Sequence, residues 1–149
     1  MTFCTKTIKF VEDSAVKTIY GYVFSDKGFE ELHFPASLDE LKEGWCCNTE
    51  FLTKIVVSPN NNNFIFKDNK FLLGKSDKNI DEFDVLLFAR RDIREILIPS
   101  NIKIISSYAF DNCNNLEKVE FQENSNLQII ESYAFSYTTI SKISIPSKV

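Results

Sequence analysis

A short pattern of apolar residues, apolar-x-x-apolar-x-apolar, recurs along this chain and constrains its fold more than any other feature. It occurs at residues 29–34, 52–57, 93–98, 116–121 and 140–145, and a weaker copy begins at residue 5. Successive copies start 23 or 24 residues apart, except that 41 residues separate the third from the fourth. Self-similarity at a fixed period of this length is typical of solenoid proteins.

Each copy predicts one short strand, because alternation sends Ile96 and Ile98 to one face and Leu97 to the other. One copy cannot bury its inward residues alone, and stacked copies build a continuous core. We therefore predict a single domain over residues 1–149, a solenoid of short parallel strands in one curved sheet with irregular or short helical return segments. The strand rungs are expected near residues 8–10, 32–34, 55–57, 96–98, 119–121 and 143–145. Strands alternating with full helices are the alternative, but the Ser- and Asn-rich return segments disfavour it.

The return segments share a second motif. Residues 22–24, 108–110 and 133–135 all have the sequence Tyr-x-Phe, whereas residues 44–46 have Gly-Trp-Cys in the same position. We expect Phe24, Phe110 and Phe135 to close the core from the side opposite the strands.

An insertion within residues 58–92 lengthens the third repeat. Apolar residues 64–66 and 71–73 flank the polar residues 67–70, which predicts a β-hairpin. Residues 83–88 predict a third strand. Two interpretations stay open: the insertion projects and shapes a binding site, or it packs against the solenoid and fills space.

With the repeats aligned, the chain resembles the BspA-like leucine-rich repeat, also called the Treponema pallidum type. The residues that carry the resemblance best are Ile96, Ile98, Pro99, Ile102, Ile105, Ala109, Phe110, Cys113, Leu116 and Val119. The resemblance covers essentially the whole chain and is closest over residues 93–149. It implies a leucine-rich-repeat solenoid with a role in protein binding and cell-surface attachment, and it carries no catalytic residue. The richness in Asn, Lys, Ile and Phe resembles copies from parasitic protozoa.

Charge and hydropathy exclude two classes of partner. A net charge of −4 argues against nucleic acid, because phosphate binding needs a basic surface. The densest basic run, Arg90, Arg91 and Arg94, is interrupted by Asp92 and Glu95 and predicts a solvated, locally paired face. No apolar run approaches the ~20 residues that span a bilayer, so membrane insertion is not expected.

The sequence offers no residue set for catalysis, a metal or a cofactor. Its one histidine, His33, has no predicted neighbour that serves as a nucleophile. The four cysteines, Cys4, Cys46, Cys47 and Cys113, lack metal-ligand spacing and are predicted to be reduced thiols in the core or in turns. An enzymatic function and bound cofactors are therefore not expected.

The outward face of the strands is the predicted partner-binding surface. One column of outward residues alternates in charge, and neighbouring strands ~4.8 Å apart bring opposite charges together. The next column contains two apolar residues beside the insertion, and exposed apolar patches with a polar rim are typical of binding surfaces. The candidate residues on these two columns are Glu31, His33, Lys54, Val56, Glu95 and Leu97.

These patterns predict a non-enzymatic protein-interaction or adhesion module, and the alternative is an intracellular scaffold or regulatory repeat protein. The expected partner is a protein, from a host or a second copy of this chain. No return segment follows the last strand pattern at residues 140–145, so the natural chain continues or the uncapped rung pairs end to end with another copy. The family resemblance implies a cell-surface location, whereas the lack of a visible signal peptide favours the cytoplasm.

Overall fold

The computed structural model describes residues 6–149, so Cys4 and the start of the first repeat lie outside the described residues. Within this range the chain is a solenoid of parallel strands joined by turns, and it contains no helix. The leucine-rich-repeat type of solenoid predicted from the repeats is therefore confirmed. The strands are β1 (Thr7–Ile8), β2 (Thr18–Ile19), β3 (Glu31–Phe34), β4 (Glu40–Leu41), β5 (Lys54–Val57), β6 (Ile65–Lys67), β7 (Phe71–Gly74), β8 (Val85–Ala89), β9 (Glu95–Ile98), β10 (Ile104–Ile105), β11 (Lys118–Phe121) and β12 (Ile129–Ile130).

Each of the first five repeats contributes a front strand from the apolar pattern and a back strand from the return segment. The front strands pair in parallel as β1-β3-β5 and, separately, as β9-β11. The back strands pair in parallel as β2-β4 and as β8-β10-β12. The predicted single curved sheet is thus divided at the third repeat, where the insertion lies.

The return segments of the first, second, fourth and fifth repeats are irregular because each contains two residues with left-handed backbone. Turns of six residues occupy 21–26, 43–48, 107–112 and 132–137. A left-handed residue stands at the second and sixth positions of each turn, with φ between 52° and 76°. An α-helix requires φ near −63° throughout, so these turns exclude it. The residues concerned are Tyr22, Asp26, Gly44, Asn48, Tyr108, Asn112, Tyr133 and Tyr137.

The two outermost predicted rungs differ from the prediction. The first strand covers Thr7–Ile8 instead of residues 8–10, and no strand forms at residues 143–145. A cleft of about 900 Å³ is lined by β11 and by residues 142–148, which form no strand with it. Ile143 still packs, half-buried, against the core.

The insertion contains the predicted hairpin, formed by the antiparallel strands β6 and β7. Strand β8 follows at Val85–Ala89, two residues later than predicted, and it pairs with β7 on one side and with back strand β10 on the other. The third repeat is therefore complete: its front strand is β5, its back strand begins in β8, and the hairpin is inserted between them. The insertion is built into the sheet instead of simply projecting from it.

Strands β7 and β8 form a septum, a wall across the solenoid that divides the hydrophobic core in two. Leu72 and Phe88 face the N-terminal core, whereas Phe71, Leu73 and Leu86 face the C-terminal core. Burial on both faces explains why these strands are continuous apolar runs without alternation.

Arg91 corrects the prediction that the basic run forms a solvated face. Arg90 does pair with Asp92, at 2.6 Å from Nε to Oδ1. The side chain of Arg91, in contrast, is only 2% exposed, and its guanidinium lies over the ring of Phe88, 4.5 Å from the ring centroid.

The guanidinium of Arg91 joins the turns of the second and fourth repeats. Nη2 donates to the Cys46 carbonyl at 2.9 Å, and Nη1 donates to the Ala109 carbonyl at 2.9 Å. Longer bonds reach the Tyr108 carbonyl and Thr49 Oγ1, both at 3.3 Å. The third repeat lacks a six-residue turn, because its chain runs straight through β8, and the arginine fills the position between its neighbours' turns.

Asp84 ties the insertion to the fourth repeat. Its fully buried side chain accepts hydrogen bonds from the Ser76 amide at 2.8 Å and the Ser76 hydroxyl at 2.6 Å, and Lys103 Nζ lies 3.0 Å away. Burial raises the pKa of Asp84, but the bonds from Ser76 and Lys103 outweigh it and hold the pKa below its usual value. Asp84 is therefore ionised at neutral pH.

Candidate interaction surfaces

The outward residues of β3 and β5 lie in register and form a small charged network. Glu31 is opposite Lys54, and His33 is opposite Val56. His33 Nε2 contacts Glu31 Oε1, and Lys54 Nζ lies 3.6 Å from Glu31 Oε2. The hydrogen bond with His33, aided by Lys54, holds the pKa of Glu31 below its usual value despite partial burial. This half of the predicted charge column therefore pairs as expected.

The outward residues of β9 and β11 form a second group. Glu95 is opposite Lys118, and Leu97 is opposite Glu120. Lys118 Nζ lies 2.9 Å from Glu120 Oε1 along the same strand. The side chain of Leu97 is 52% exposed beside these charges, which makes it an apolar contact point with a polar rim.

The six candidate residues lie on two surfaces instead of one patch. Within residues 6–149, β5 pairs only with β3 and β9 only with β11, so Val56 and Leu97 are not on neighbouring strands. Val56 lines a cleft of about 850 Å³ between β5 and β6, with Ile65 and Phe66. Leu97 lines the cleft of about 900 Å³ between β11 and residues 142–148. The structure groups Glu31, His33, Lys54 and Val56, and separately Glu95 and Leu97.

A row of tyrosines, two exposed and the central Tyr108 half-buried, lies on the turn side of the solenoid, and sequence reasoning did not single it out as a surface. The rings of Tyr108 and Tyr133 stack with centroids 5.3 Å apart, and Tyr22 meets Tyr108 edge to face at 6.5 Å. Tyr22 and Tyr133 are 61% and 63% exposed. We call these three residues the tyrosine row.

The absence of a side chain at Gly44 lets Tyr22 of the first repeat reach over the second repeat to Tyr108 of the fourth. A Cβ atom on Gly44 would lie 3.3 Å from Cζ of Tyr22, so the ring of Tyr22 lies directly over this residue. The Tyr22 hydroxyl then comes within 3.4 Å of the Tyr108 hydroxyl. This hydrogen bond, together with burial, raises the pKa of Tyr108 and keeps it a neutral hydroxyl. The Gly-for-Tyr difference at residue 44 was the only signal in the sequence for this contact.

A small cavity, which we call the turn cavity, borders the tyrosine row. Its volume is about 290 Å³. Its apolar lining comes from Leu41, Trp45 and Leu87, and its polar lining comes from Lys42, Glu43, Ser106, Ser107 and Glu131. The turns of the second and fourth repeats and the segment after β12 supply the polar side chains, so the cavity exists only when these repeats stack.

The cysteines of residues 6–149 are buried free thiols. Burial raises the pKa of Cys46 to about 11, with the nearby Arg91 opposing this effect, so Cys46 is protonated at neutral pH. No group of His, Cys, Asp and Glu side chains in this part of the chain is arranged to hold a metal ion. The same residues include no helix of the length and apolar character that crossing a membrane requires.

Comparison with known families agrees with this architecture. A family model described as the BspA type leucine rich repeat region matches residues 2–73 and 78–149, in six copies. The chain belongs to this family. No curated protein matches it at a significant level.

Three solved structures are similar to this BspA-type chain. A leucine-rich repeat protein from Eubacterium ventriosum shares 26% identity with a TM-score of 0.70, over 83% of this chain and 31% of that one. The pneumococcal vaccine antigen PcpA shares 23% identity with a TM-score of 0.75, over 91% and 32%. A leucine rich cell surface protein from Faecalibacterium prausnitzii shares 18% identity with a TM-score of 0.57, over 84% and 40%.

The BspA-type chain thus spans less than half the length of each of these relatives. The two with identity below 25% support the fold alone. All three are bacterial proteins, and none supports the protozoan resemblance suggested by the composition.

Proposed function

We propose that this BspA-type chain is a non-enzymatic module that binds a protein partner through the outward face of its front strands. The observation that carries the proposal is the exposure of Leu97 at the centre of a registered, charged strand pair. Stacked repeats align outward side chains in columns, and such surfaces are how repeat proteins bind. The network of Glu31, His33 and Lys54 supplies a second, charged contact area on the same side.

Charge substitution tests this surface. Leu97→Glu is expected to lower capture of a partner by the immobilised chain at least tenfold, because a buried apolar contact is lost and a charge is desolvated. Ile129→Glu is the matched control, since Ile129 is 47% exposed on back strand β12. Both variants are expected to keep the melting temperature of the parent chain. Equal capture by Leu97→Glu and the parent would exclude the β9–β11 face, and Val56→Glu makes the same test of the β3–β5 face.

We propose adhesion as the setting of this binding. The support is the BspA-type family itself, since the resemblance to it implies a role in cell-surface attachment. Antibody staining of intact cells that express the protein tests it, with permeabilised cells as the reference. Staining that requires permeabilisation would contradict adhesion and favour the alternative, an intracellular scaffold or regulatory repeat protein.

We also propose a second copy of the chain as one partner. The outer edge of β11 pairs with no strand within the described residues and faces a cleft of about 900 Å³. Open strand edges are templates for pairing with another chain. Sedimentation velocity over a hundredfold range of concentration is expected to show a monomer–dimer equilibrium, and a single monomeric species throughout would contradict it.

A further inference from the structure

The lining of the turn cavity is mostly polar, with two exposed carboxylates and a smaller apolar part. Leu41, Trp45 and Leu87 form the apolar part of its lining, whereas Glu43 and Glu131 carry charge at its rim. A ligand that matches this lining has an apolar stem and a cationic head. Lysine and arginine side chains have this character, since they bury their methylene stems and keep the charge at the surface.

The two carboxylates of the rim have no cation of their own. Within residues 6–149 neither Glu43 nor Glu131 takes part in a salt bridge, and both instead accept hydrogen bonds from Ser107. Lys42 also lines the cavity, but its Nζ lies 2.7 Å from Glu40 Oε1 and is paired there. The rim is therefore a net negative site that complements a basic group.

The size of the cavity decides what kind of ligand fits. Sites for small-molecule ligands have volumes of roughly 300–1,000 Å³ and enclose most of the ligand. At about 290 Å³ the turn cavity is at the lower limit of this range. It has room for one long side chain, and the tyrosines beside it favour a group presented by a protein.

The tyrosine row gives the presenting protein a surface beside the cavity. Ser107 is adjacent to Tyr108 in the chain, and Glu131 lies two positions before Tyr133. The cavity rim and the tyrosine row are therefore built from the same two stretches of chain. All three tyrosines have left-handed backbone, a conformation that costs bulky residues free energy. Exposed tyrosines are typical of protein interfaces, because each provides a large contact area at low entropic cost.

We infer that the turn cavity binds a lysine or arginine side chain of a protein partner, with the aliphatic stem against Trp45 and the cationic head between Glu43 and Glu131. The tyrosine row contacts the partner's backbone beside this anchor. This site is on the turn side and is independent of the front strands.

The single tryptophan of the chain reports on the cavity directly. The probes are a capped alanine pentapeptide with a central lysine and its norleucine counterpart, which keeps most of the stem and lacks the charge. The lysine peptide is expected to shift both the fluorescence emission and the single indole N–H NMR signal of Trp45 in a saturable, salt-sensitive way. The norleucine peptide is expected to bind at least tenfold more weakly. Equal effects of the two peptides, or no movement of either signal, would overturn the inference.

Matched variants separate a local site from general charge attraction. Glu43→Gln with Glu131→Gln keeps the acceptors for Ser107, removes both charges and is expected to weaken lysine-peptide binding about tenfold. Glu117→Gln with Glu123→Gln changes the net charge equally at exposed positions outside the cavity and is expected to leave binding unchanged. Equal weakening in both double variants would overturn the site. Leu97→Glu is expected to retain peptide binding, which distinguishes this site from the front-strand surface.

Discussion

Replacing Arg91 tests whether its guanidinium holds the second and fourth repeats together. The side chain has two short hydrogen bonds, to the carbonyls of Cys46 and Ala109, both at 2.9 Å. Methionine has a similar apolar stem and no donor, so Arg91→Met removes the bonds and keeps most of the volume. Both carbonyls then lose the donor that spans the gap between the turns.

The expected loss in the free energy of unfolding of Arg91→Met follows from these two bonds. A hydrogen bond to a charged group contributes about 1.5–3 kcal/mol, which gives about 3–6 kcal/mol for the two short bonds. Among residues 6–149 the guanidinium has no carboxylate partner and Arg91 Nε has no hydrogen bond, so the intact protein also bears a cost of burying this cation. Relief of that cost on substitution reduces the net loss to about 2–4 kcal/mol. A domain of this size has a total stability of about 5–15 kcal/mol, so the loss is large.

Urea unfolding of Arg91→Met, Arg91→Lys and the parent chain measures this loss of stability. Arg91→Met is expected to lower the midpoint strongly, and Arg91→Lys less, because lysine keeps the charge but not the planar fork of donors. Arg94→Met is the control: Arg94 is exposed, and its substitution is expected to change stability by less than about 0.5 kcal/mol. A loss below about 1 kcal/mol for Arg91→Met would refute the role assigned to the guanidinium.

Three further substitutions test other parts of the fold. Asp84→Asn is expected to cost about 1–3 kcal/mol at pH 7 by weakening the bond with Lys103. The pKa of Asp84 is lowered in the folded protein, so ionised Asp84 stabilises the fold above about pH 4, and this stabilisation is lost as the pH falls through the folded pKa. The free energy of unfolding of Asp84→Asn should therefore change less with pH in the acid range than that of the parent chain. Gly21→Ala is expected to lower stability by about 1–3 kcal/mol, because its Cβ would lie 2.4 Å from the Glu43 carbonyl oxygen, and an unchanged melting temperature would contradict this. Leu72→Ala is expected to cost about 2–5 kcal/mol in chemical unfolding, as for a fully buried leucine, and a loss below 1 kcal/mol would argue against a packed septum.

The repeats were predictable because the strand signal is local. Alternation at Ile96 and Ile98 is enough to place a strand and its inward face, and the period of 23 or 24 residues then implies stacking. The hairpin was equally local, with two apolar runs around a polar turn. Each of these elements depends on a few adjacent residues, so its pattern is visible in a short stretch of the sequence.

The features that sequence reasoning missed depend on contacts between repeats. Arg91 looks like a surface residue in a charged run, and only the absent turn of the third repeat makes it buried. One signal was present: four residues lie between Phe88 and Ile93, one fewer than the five between Phe110 and Leu116. The division between Val56 and Leu97 arises because β5 lies beside hairpin strand β6, whereas β9 pairs with β11. The turn cavity also needs four repeats, the second to the fifth, in place before its lining residues meet.

The septum has a consequence for how this protein evolves and how it opens. In a solenoid each repeat packs mainly against its neighbours, so the stability of one repeat depends on the side-chain contacts that it shares with the next. Here the septum divides the buried apolar contacts, and Leu72 and Leu73 are adjacent in the chain yet belong to different cores. Repeats can be gained or lost on one side without repacking the other. For the same reason, we expect local unfolding that begins at one end of the stack to stop at the septum until β7 and β8 themselves unfold.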